Sequence, residues 1–574
     1  MPTLDWIGKQ AVVNHDKDVP FRLLKRDPKL SVGDSQNLLI KGDNLEALKA
    51  LMPYYVGKVR LAYIDPPYNT GSQKWMYNDA VNSPEIRRWL HKQVGGEDDL
   101  SRHDKWMCMM YPRLKLLHQL LRRDGILACH IDEHEIEHLM HLLNTIFDEP
   151  NFLGVVVWDK RNPKGDSKSI AVKHEYIVFF AVNRKLVEEE RLFALRKENA
   201  ETILKKAKTI VKKIGKKEVP EFFRNALRQF GYHEETAISL AVKYDLEVAN
   251  RDFQLWLSKE DFTDGEKAYR FIDENGEVYQ PVSMAWPSKD KAPKKFFYDV
   301  LHPITKKRCP IPAKGWRFTP EVMQEFLHKK LIVFGEDEKT QPRRKYLLQE
   351  NLVERFSSVI HYGGSATTEL DKIGITFDYA KPSLIVKKII SACTKADDIV
   401  LDSFAGSGTA GHAVLELNRE DEGNRKFILV EMEDDIAEKK TAVRLKWAVD
   451  PKGGGCKGGF QFLRLDTTLF DADGNISDPV SYLDLARYVF FVETQKDLDE
   501  KKMKKPSIGT DGETAYFLFF TEKGKNTVTR KELAKLPKTD GCKVVYGDRC
   551  LVSEETLRLQ NVIFKQIPYQ VKIY

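Results

Sequence analysis

The sequence predicts an α/β fold built on an open sheet, and three observations lead there. Short apolar runs alternate with amphipathic helical stretches over residues 38–183, and again from Phe377 onward. One of those runs, Val59–Ile64, ends abruptly at Asp65-Pro66-Pro67-Tyr68. Another, residues 399–401, runs into the glycine-rich turn 404–409 and then a helical stretch. Both interruptions fall at the C-terminal ends of strands, where open α/β sheets bind ligands.

Residues 1–37 are polar and read as an irregular N-terminal arm. Residues 38–44 read as a strand and turn, with Asp43 or Asn44 placed to cap a helix over 45–51. After the second strand, Asn69-Thr70-Gly71 breaks the chain, and residues 72–103, with Gly95-Gly96, read as a flexible loop. Helical periodicity returns over 106–121. Asp124-Gly125 turns into the strand 126–131, and a helix follows from about Glu133 to Ile146. Residues 151–158 and 175–182 read as two more strands around the polar loop 159–173.

The corner after Ile64 carries the chemistry. Two consecutive prolines fix two φ angles and remove two backbone donors. Residues before proline are pushed away from helix. The result is stiff and extended, and it offers the Asp65 carboxylate, the Pro66 carbonyl and the Tyr68 ring. That set suits an exocyclic amino group on a flat ring. Such a nitrogen is a poor nucleophile because its lone pair is delocalised into the ring. Two acceptors gripping its N–H bonds favour a pyramidal nitrogen and free the lone pair. An aromatic face holds the base by stacking, worth about 1–3 kcal/mol. Taken alone, the four residues also fit a plain Pro-Pro turn with a surface tyrosine.

His134-Glu135-Ile136-Glu137-His138 formally spells H-E-x-x-H, and His141 offers a third ligand on nearly the same face. A five-residue pattern with two free positions recurs by chance. The stretch reads as a solvated helix packed through Ile136, Leu139, Leu142 and Leu143, with no metal bound.

From Asn183 to about Glu350 the alternation of strand and helix is lost. Residues 204–217 are densely basic, which suits a phosphate-contacting helix or a solvated helix face. Residues 298–318 place lysines and arginines close to Trp316 and Phe318, and Arg343, Arg344 and Lys345 precede Tyr346. The stretch 184–350 reads as a substrate-recognition insert between two halves of one fold, 38–183 and 351–456.

The second half opens with Lys381-Pro382-Ser383 and an amphipathic helix at 384–392. Residues 398–411, DIVLDSFAGSGTAG, follow. Asp402 lies at the strand end, Phe404, Gly406 and Gly408 in the turn, and Thr409 where the helix starts. Glycines let a backbone approach a ligand at a helix N-terminus. The next strand ends at Glu431, placed to bind ribose hydroxyls. Gly406, Gly408 and Gly411 spell the dinucleotide fingerprint G-x-G-x-x-G. Any nucleoside-bearing cofactor uses the same geometry, and the acceptors at Asp65 have no role in a dehydrogenase. Residues 451–459, PKGGGCKGG, read as a flexible linker. Residues 457–574 read as a further small α/β module to which the sequence assigns no chemistry.

At 574 residues the chain has room for about three or four domains. A hydrophobic content of 42% with 31% charged residues excludes a disordered chain. The net charge of +7 permits a polyanionic partner. Seven scattered cysteines fit a reducing cytosol and exclude a disulfide scaffold. No signal peptide opens the chain and no apolar run approaches about 18 residues, so no membrane span is expected. No Walker loop is present, so the chain itself is not expected to translocate or cleave DNA.

Asp-Pro-Pro-Tyr, the following Asn-Thr-Gly and the later Phe-Ala-Gly-Ser-Gly-Thr together resemble the amino-group DNA methyltransferases. The corner precedes the glycine loop with a long insert between, an order that resembles the β class of adenine-N6 methyltransferases. Residues 40–48, 110–117, 165–169 with His174-Glu175-Tyr176, 377–382 and 563–569 are similar to the modification (Mod) subunits of type III restriction-modification systems and their solitary relatives. The resemblance implies a circularly permuted, Rossmann-like S-adenosylmethionine-dependent methyltransferase fold. It also implies an inserted target-recognition domain and a small C-terminal α/β module.

The same resemblance implies roles. Asp65, Pro66, Pro67 and Tyr68 form the catalytic corner, with Asp65 and the Pro66 carbonyl accepting from the target amine and Tyr68 stacking on a flipped base. Asp402, Phe404, Gly406, Gly408 and Thr409 lie at S-adenosylmethionine, Glu431 at its ribose, Phe377 and Lys381 at its methionine side, and Asp43 at its adenosine part. Aspartate at the first position suits adenine, where cytosine-N4 enzymes more often carry serine. Implied partners are double-stranded DNA, a second copy of the chain and a restriction (helicase and nuclease) subunit, in the cytoplasm at the nucleoid. Two other readings stay open. One is a DNA-specificity protein that has lost catalysis, against which the intact corner and glycine loop speak. The other is an RNA or protein amine methyltransferase; protein glutamine methyltransferases carry asparagine where this chain has Asp65. All these expectations require the corner and the glycine turn to meet across one sheet.

Overall fold

A computed structural model describes residues 4–33, 35–70, 101–161, 170–229, 241–470, 476–477, 480–494, 496, 498–521, 526–537 and 541–567. The loop expected at 72–103 lies outside the described residues except for its last three. Gly71, the motif residues 165–169 and the end of the 563–569 motif lie outside them as well. The chain divides into two compact units, residues 1–193 with 357–574, and residues 194–356.

The first unit is built on ten strands: β1 (Arg22–Arg26), β2 (Leu38–Lys41), β3 (Val59–Ile64), β4 (Leu121–Ile131), β5 (Phe152–Asp159), β6 (His174–Ala181), β7 (Val359–His361), β8 (Ile399–Asp402), β9 (Lys426–Glu431) and β10 (Gln461–Thr468). Their order across the sheet is β1-β10-β2-β9-β8-β3-β4-β6-β5-β7. The six strands from β10 to β4 are mutually parallel, and β1 and β6 run against their neighbours. Parallel strands covered on both faces read as continuous apolar runs, and all six residues of β3 are buried.

Helices cover both faces. On one side α1 (Asn44–Tyr55), α2 (Arg102–Leu120) and α3 (Ile136–Phe147) bury Leu48, Trp106, Leu117 and Leu143 in a core shared with Ile40, Ala62 and Leu127. On the other lie α4 (Ser383–Cys393), α5 (Thr409–Asp421) and α6 (Ala442–Val449). Gly411 lets α5 close on the sheet, since a Cβ there would stand 2.9 Å from both Leu429 and Leu445. None of the described helices is long and apolar enough to cross a membrane.

Strands β3 and β8 are parallel neighbours, with Leu61 opposite Val400 and Ala62 opposite Leu401. The helix after β3 covers one face and the helix after β8 the other. A crevice therefore opens at their C-terminal ends, where the strand order reverses. The Asp65 corner and the glycine turn both fall at that crevice, as the sequence requires.

The structure departs from the sequence reading at the edges. Residues 22–26, expected in an irregular arm, pair antiparallel with β10, and Trp6, Val12, Val19 and Phe21 are buried. Residues 461–468, expected in the C-terminal module, join the central sheet beside β2. The expected linker before them is a series of hydrogen-bonded turns, with the Gly454 and Cys456 amides donating to the Trp447 and Ala448 carbonyls at 2.9 Å. Asp124-Gly125 forms a bulge inside β4, not a turn before it. Beyond β10, residues 507–566 carry a separate four-stranded sheet.

The second unit has regular structure of its own. Helices Ala200–Val211 and Leu246–Lys259 close a core around Ile203, Ile210, Tyr244 and Phe253. A four-stranded antiparallel sheet includes Val278–Ser283 and Arg343–Leu347. Trp316, which the sequence sets close to lysines and arginines, is fully buried and donates its indole N–H to the Tyr298 carbonyl at 2.9 Å. Lys345 pairs with Asp273 at 3.0 Å, and the Arg344 guanidinium lies 4.4 Å from the Phe326 ring centroid. Those two cations are used internally. On the Ala200–Val211 helix, in contrast, Lys205 and Lys208 are exposed.

One buried cation braces the base of β3. Arg60 is fully buried and donates to Glu190 Oε2 at 2.6 Å, the Asp124 carbonyl at 2.7 Å and the Cys393 carbonyl at 3.2 Å. Removing one partner from a buried ionic cluster leaves uncompensated charge. Arg60→Ala is expected to lower the unfolding free energy by about 3–5 kcal/mol, read from urea denaturation.

Candidate active site

Asp65 follows the last residue of β3, and its two carboxylate oxygens have different partners. Oδ1 accepts the Tyr68 hydroxyl at 3.0 Å, and Oδ2 accepts the Lys381 ammonium at 2.6 Å. The Tyr68 hydroxyl also lies 3.1 Å from Glu175 Oε2 on β6. The other oxygen of Glu175 is held by Lys160. Lys381 lies 3.9 Å from Glu175 Oε2 and 5.0 Å from the Tyr68 ring centroid. Burial, with the Asp65 and Glu175 carboxylates beside it, pushes the Tyr68 phenol well above its usual value. Burial works against the Lys381 charge, but the same two carboxylates outweigh it and raise the ammonium's pKa.

The corner is anchored from behind. The Trp106 indole of α2 donates to the Pro67 carbonyl at 2.7 Å. Asn69 is buried in the left-handed region at φ 58°, and its amide donates to Glu135 Oε1 at 2.5 Å. The H-E-x-x-H pattern does not lie on one helix, because α3 begins at Ile136. His134 turns to Asp132, while Glu135 lies between His103 and His138 at 2.7 and 2.8 Å. Glu135 thus serves the exit of the corner.

The glycine turn is shaped by backbone freedom and by α6. Gly406 and Gly408 adopt φ 48° and 79°. A Cβ on Gly406 would stand 3.2 Å from the Phe377 ring, and one on Gly408 would stand 2.8 Å from Thr441 Cγ2. Thr441 donates its hydroxyl to the Gly406 carbonyl at 2.6 Å. The Arg444 guanidinium donates to Ser407 Oγ at 3.0 Å, Thr409 Oγ1 at 2.8 Å and Ser383 Oγ at 2.9 Å. Thr409 therefore braces the turn from its buried side. Asp402 is buried and accepts the Phe404 amide at 3.0 Å; burial, with Asp65 and Glu431 nearby, pushes its carboxyl well up. Asp43 caps α1, accepting the Leu45 and Glu46 amides at 2.9 and 3.1 Å, and lies 3.4 Å from Arg113. Glu431, at the tip of β9, accepts the Gly406 amide through Oε2 and the Glu433 amide through Oε1, both at 2.9 Å.

Every residue expected at the catalytic corner or at the cofactor therefore lies in the first unit, and Lys381 links the corner to the turn. Its side chain reaches Asp65, and its carbonyl accepts the Thr409 hydroxyl at 3.4 Å. Sequence reasoning assigned no role to Glu175, Lys160, Thr441 or Arg444. Glu175 stood within the quoted His-Glu-Tyr motif, the one available signal. The two faces of the site differ in chemistry. The corner presents acceptors and an aromatic ring, whereas the turn presents bare backbone and a carboxylate suited to a nucleoside diol.

Residues 59–443 match the DNA methylase family. The Type III restriction-modification enzyme EcoP15I Mod subunit of Escherichia coli is 32% identical over 464 residues, covering 77% of this chain and 66% of its own. The StyLTI Mod subunit of Salmonella typhimurium is 27% identical, covering 81% of this chain and 62% of its own. The chain spans a little under two thirds of the length of these curated relatives. Among solved structures, the cytosine-N4-specific PvuII DNA methyltransferase aligns over 71% of this chain and 86% of its own, at 10% identity and a TM-score of 0.31.

Burial raises the Glu431 carboxyl to about 7 despite its backbone donors. Ribose hydroxyls donate best to the ionised form, so ligand binding favours loss of that proton. With Glu431 accepting from the cofactor's ribose, as the sequence reading has it, affinity for a nucleoside-bearing cofactor is expected to be level well above pH 7 and to weaken below it, by up to about tenfold per pH unit. Titration calorimetry between about pH 5.5 and pH 8.5, a range that brackets the group, checks the direction.

Proposed function

The chain belongs to the DNA methylase family, and from that premise we propose that it transfers a methyl group from S-adenosylmethionine to N6 of adenine in duplex DNA. In this reading it is the modification subunit of a type III-like restriction-modification system or a solitary relative. The observation that carries the reading is the adjacency of two strand tips. The Asp65 corner and the Gly406 turn leave β3 and β8, parallel neighbours in one sheet.

The residues of the turn fit the cofactor. Phe377 borders the Gly406 backbone, and Glu431 offers lone pairs beyond its two backbone bonds. Bound there, S-adenosylmethionine supplies a methyl group on a sulfonium sulfur, with homocysteine thioether as leaving group. Glu431 accepts from the ribose, and Phe404 and Phe377 flank the cofactor.

The corner acts on the base. Flipping the adenine out of the duplex costs a few kcal/mol, offset by stacking on Tyr68 and by the two acceptors. Asp65 and the Pro66 carbonyl grip the amine and turn its lone pair towards the methyl carbon. The N–C bond forms as the C–S bond breaks, the bonding pair stays on sulfur, and Asp65 takes the proton that nitrogen sheds. Rate enhancement comes from positioning and from acceptors matched to charge developing on nitrogen. Asp65 favours adenine over cytosine as the target.

The exposed lysines of the Ala200–Val211 helix, Lys205 and Lys208, supply sequence-independent phosphate contacts in this reading. The names of the Mod relatives point to a restriction subunit as a partner, and a second copy of the chain completes the assembly. Incorporation of tritiated methyl groups into DNA tests the activity, and sequencing of N6-methyladenine in that DNA yields the recognition site. Asp65→Ala is expected to lower incorporation by at least about 100-fold while calorimetric binding of S-adenosylmethionine persists. Turnover at the wild-type rate in that variant removes Asp65 from the mechanism.

A further inference from the structure

Asp65 has no idle oxygen. Tyr68 holds Oδ1 at 3.0 Å, and Lys381 holds Oδ2 at 2.6 Å. The Lys381 ammonium also lies over the Tyr68 ring, 5.0 Å from its centroid. A nitrogen donor on Asp65 and a cation on the aromatic face are the two positions that the proposed function gives to the target base. Lys381 thus stands where an adenine amine would stand. A base that donates to Asp65 and stacks on Tyr68 competes with the ammonium for both positions, so the lysine moves aside as a base is gripped.

Among the described residues, Glu175 offers a nearby place for it. Glu175 Oε2 is 3.9 Å from the Lys381 nitrogen. Glu175 is 8% exposed, already shares the Tyr68 hydroxyl, and is held in place by Lys160 on its far oxygen. An ammonium moving from Asp65 to Glu175 exchanges one buried ion pair for another. Without a carboxylate at the second position the same movement strands an unpaired charge in a low-dielectric site, which is strongly unfavourable.

Resting on the methyltransferase reading, we propose that Lys381 occupies the base site of the free protein as a surrogate for the target amine. Glu175 is the positioning residue that receives it when a base enters. The surrogate keeps the corner assembled, and its transfer uncovers Asp65. Glu175 acts through Lys381 and touches neither base nor cofactor.

The test uses the full chain, no cofactor, and a duplex carrying the mapped recognition site with 2-aminopurine beside the target adenine. Fluorescence rises as the adenine leaves the stack. Glu175→Gln keeps the shape and the acceptor for Tyr68 but removes the charge. It is expected to cut the fluorescence gain at least about fivefold while duplex affinity, from anisotropy, stays within about twofold. In a Lys381→Met background the Glu175→Gln change is expected to have no further effect. Lys381→Met alone is expected to raise the gain above wild type. A wild-type gain in Glu175→Gln overturns the inference, as does an equal loss in both backgrounds, which marks a purely structural role through Tyr68. If Glu175→Gln fails to fold by circular dichroism, Lys381→Met decides alone, and no rise there overturns the inference. Absence of tritium transfer by the wild-type chain sinks the proposed function itself, whereas transfer with an additive cycle sinks only the exchange.

Discussion

The backbone pairing of β3 with β8 is the constraint on which the site depends. Leu61 against Val400 and Ala62 against Leu401 join segments from either side of the long insertion. Adjacent strands in a sheet lie about 4.8 Å apart, so two strand tips that share an edge open onto one crevice. Neither tip has the whole chemistry. The first brings acceptors and a ring, and the second brings glycine backbone and, through β9, the Glu431 carboxylate. Covering both faces with helices makes the pairing rigid, and Gly411 sets how closely α5 can approach.

Two buried cations close the pair of strands at opposite ends. Arg60 at the base draws together the β4 bulge, the end of α4 and Glu190. Lys381 at the top joins the Asp65 carboxylate to the start of α5 through its side chain and its carbonyl. A buried ion pair contributes little net stability against its desolvation cost, yet losing one partner is expensive. Such pairs therefore act less as glue than as registers. Arg444 does similar work for the glycine turn, where one guanidinium reaches three hydroxyls on α4 and the turn.

The parts of the fold legible in the sequence are those where local chemistry and burial agree. Val59–Ile64 is apolar without interruption because both its faces are covered, and the prolines mark its end. The glycine turn is legible because only glycine tolerates its left-handed backbone without strain. The edges were not legible. Arg22–Arg26 is half charged, and its partner β10 lies at the other end of the chain, so no local pattern reveals the pairing. Glu175 was visible only as part of a motif, since its role depends on Tyr68 and Lys381 reaching it from two other elements. In the second unit, Trp316 and Arg344 stood in basic–aromatic clusters of a stretch read as a recognition insert, and the structure packs both of them at a small core.

The sheet-bearing unit fixes its own chain on either side of the insertion. Where the chain departs, the Phe193 amide donates to the Ala392 carbonyl, and where it returns, the Val157 amide donates to the Ser358 carbonyl, each at 2.8 Å. The residues between carry their own hydrophobic cores. None of the side chains described at the Asp65 corner or the glycine turn lies in residues 194–356. That stretch can therefore lengthen, shorten or change in sequence while every one of those side chains keeps its identity.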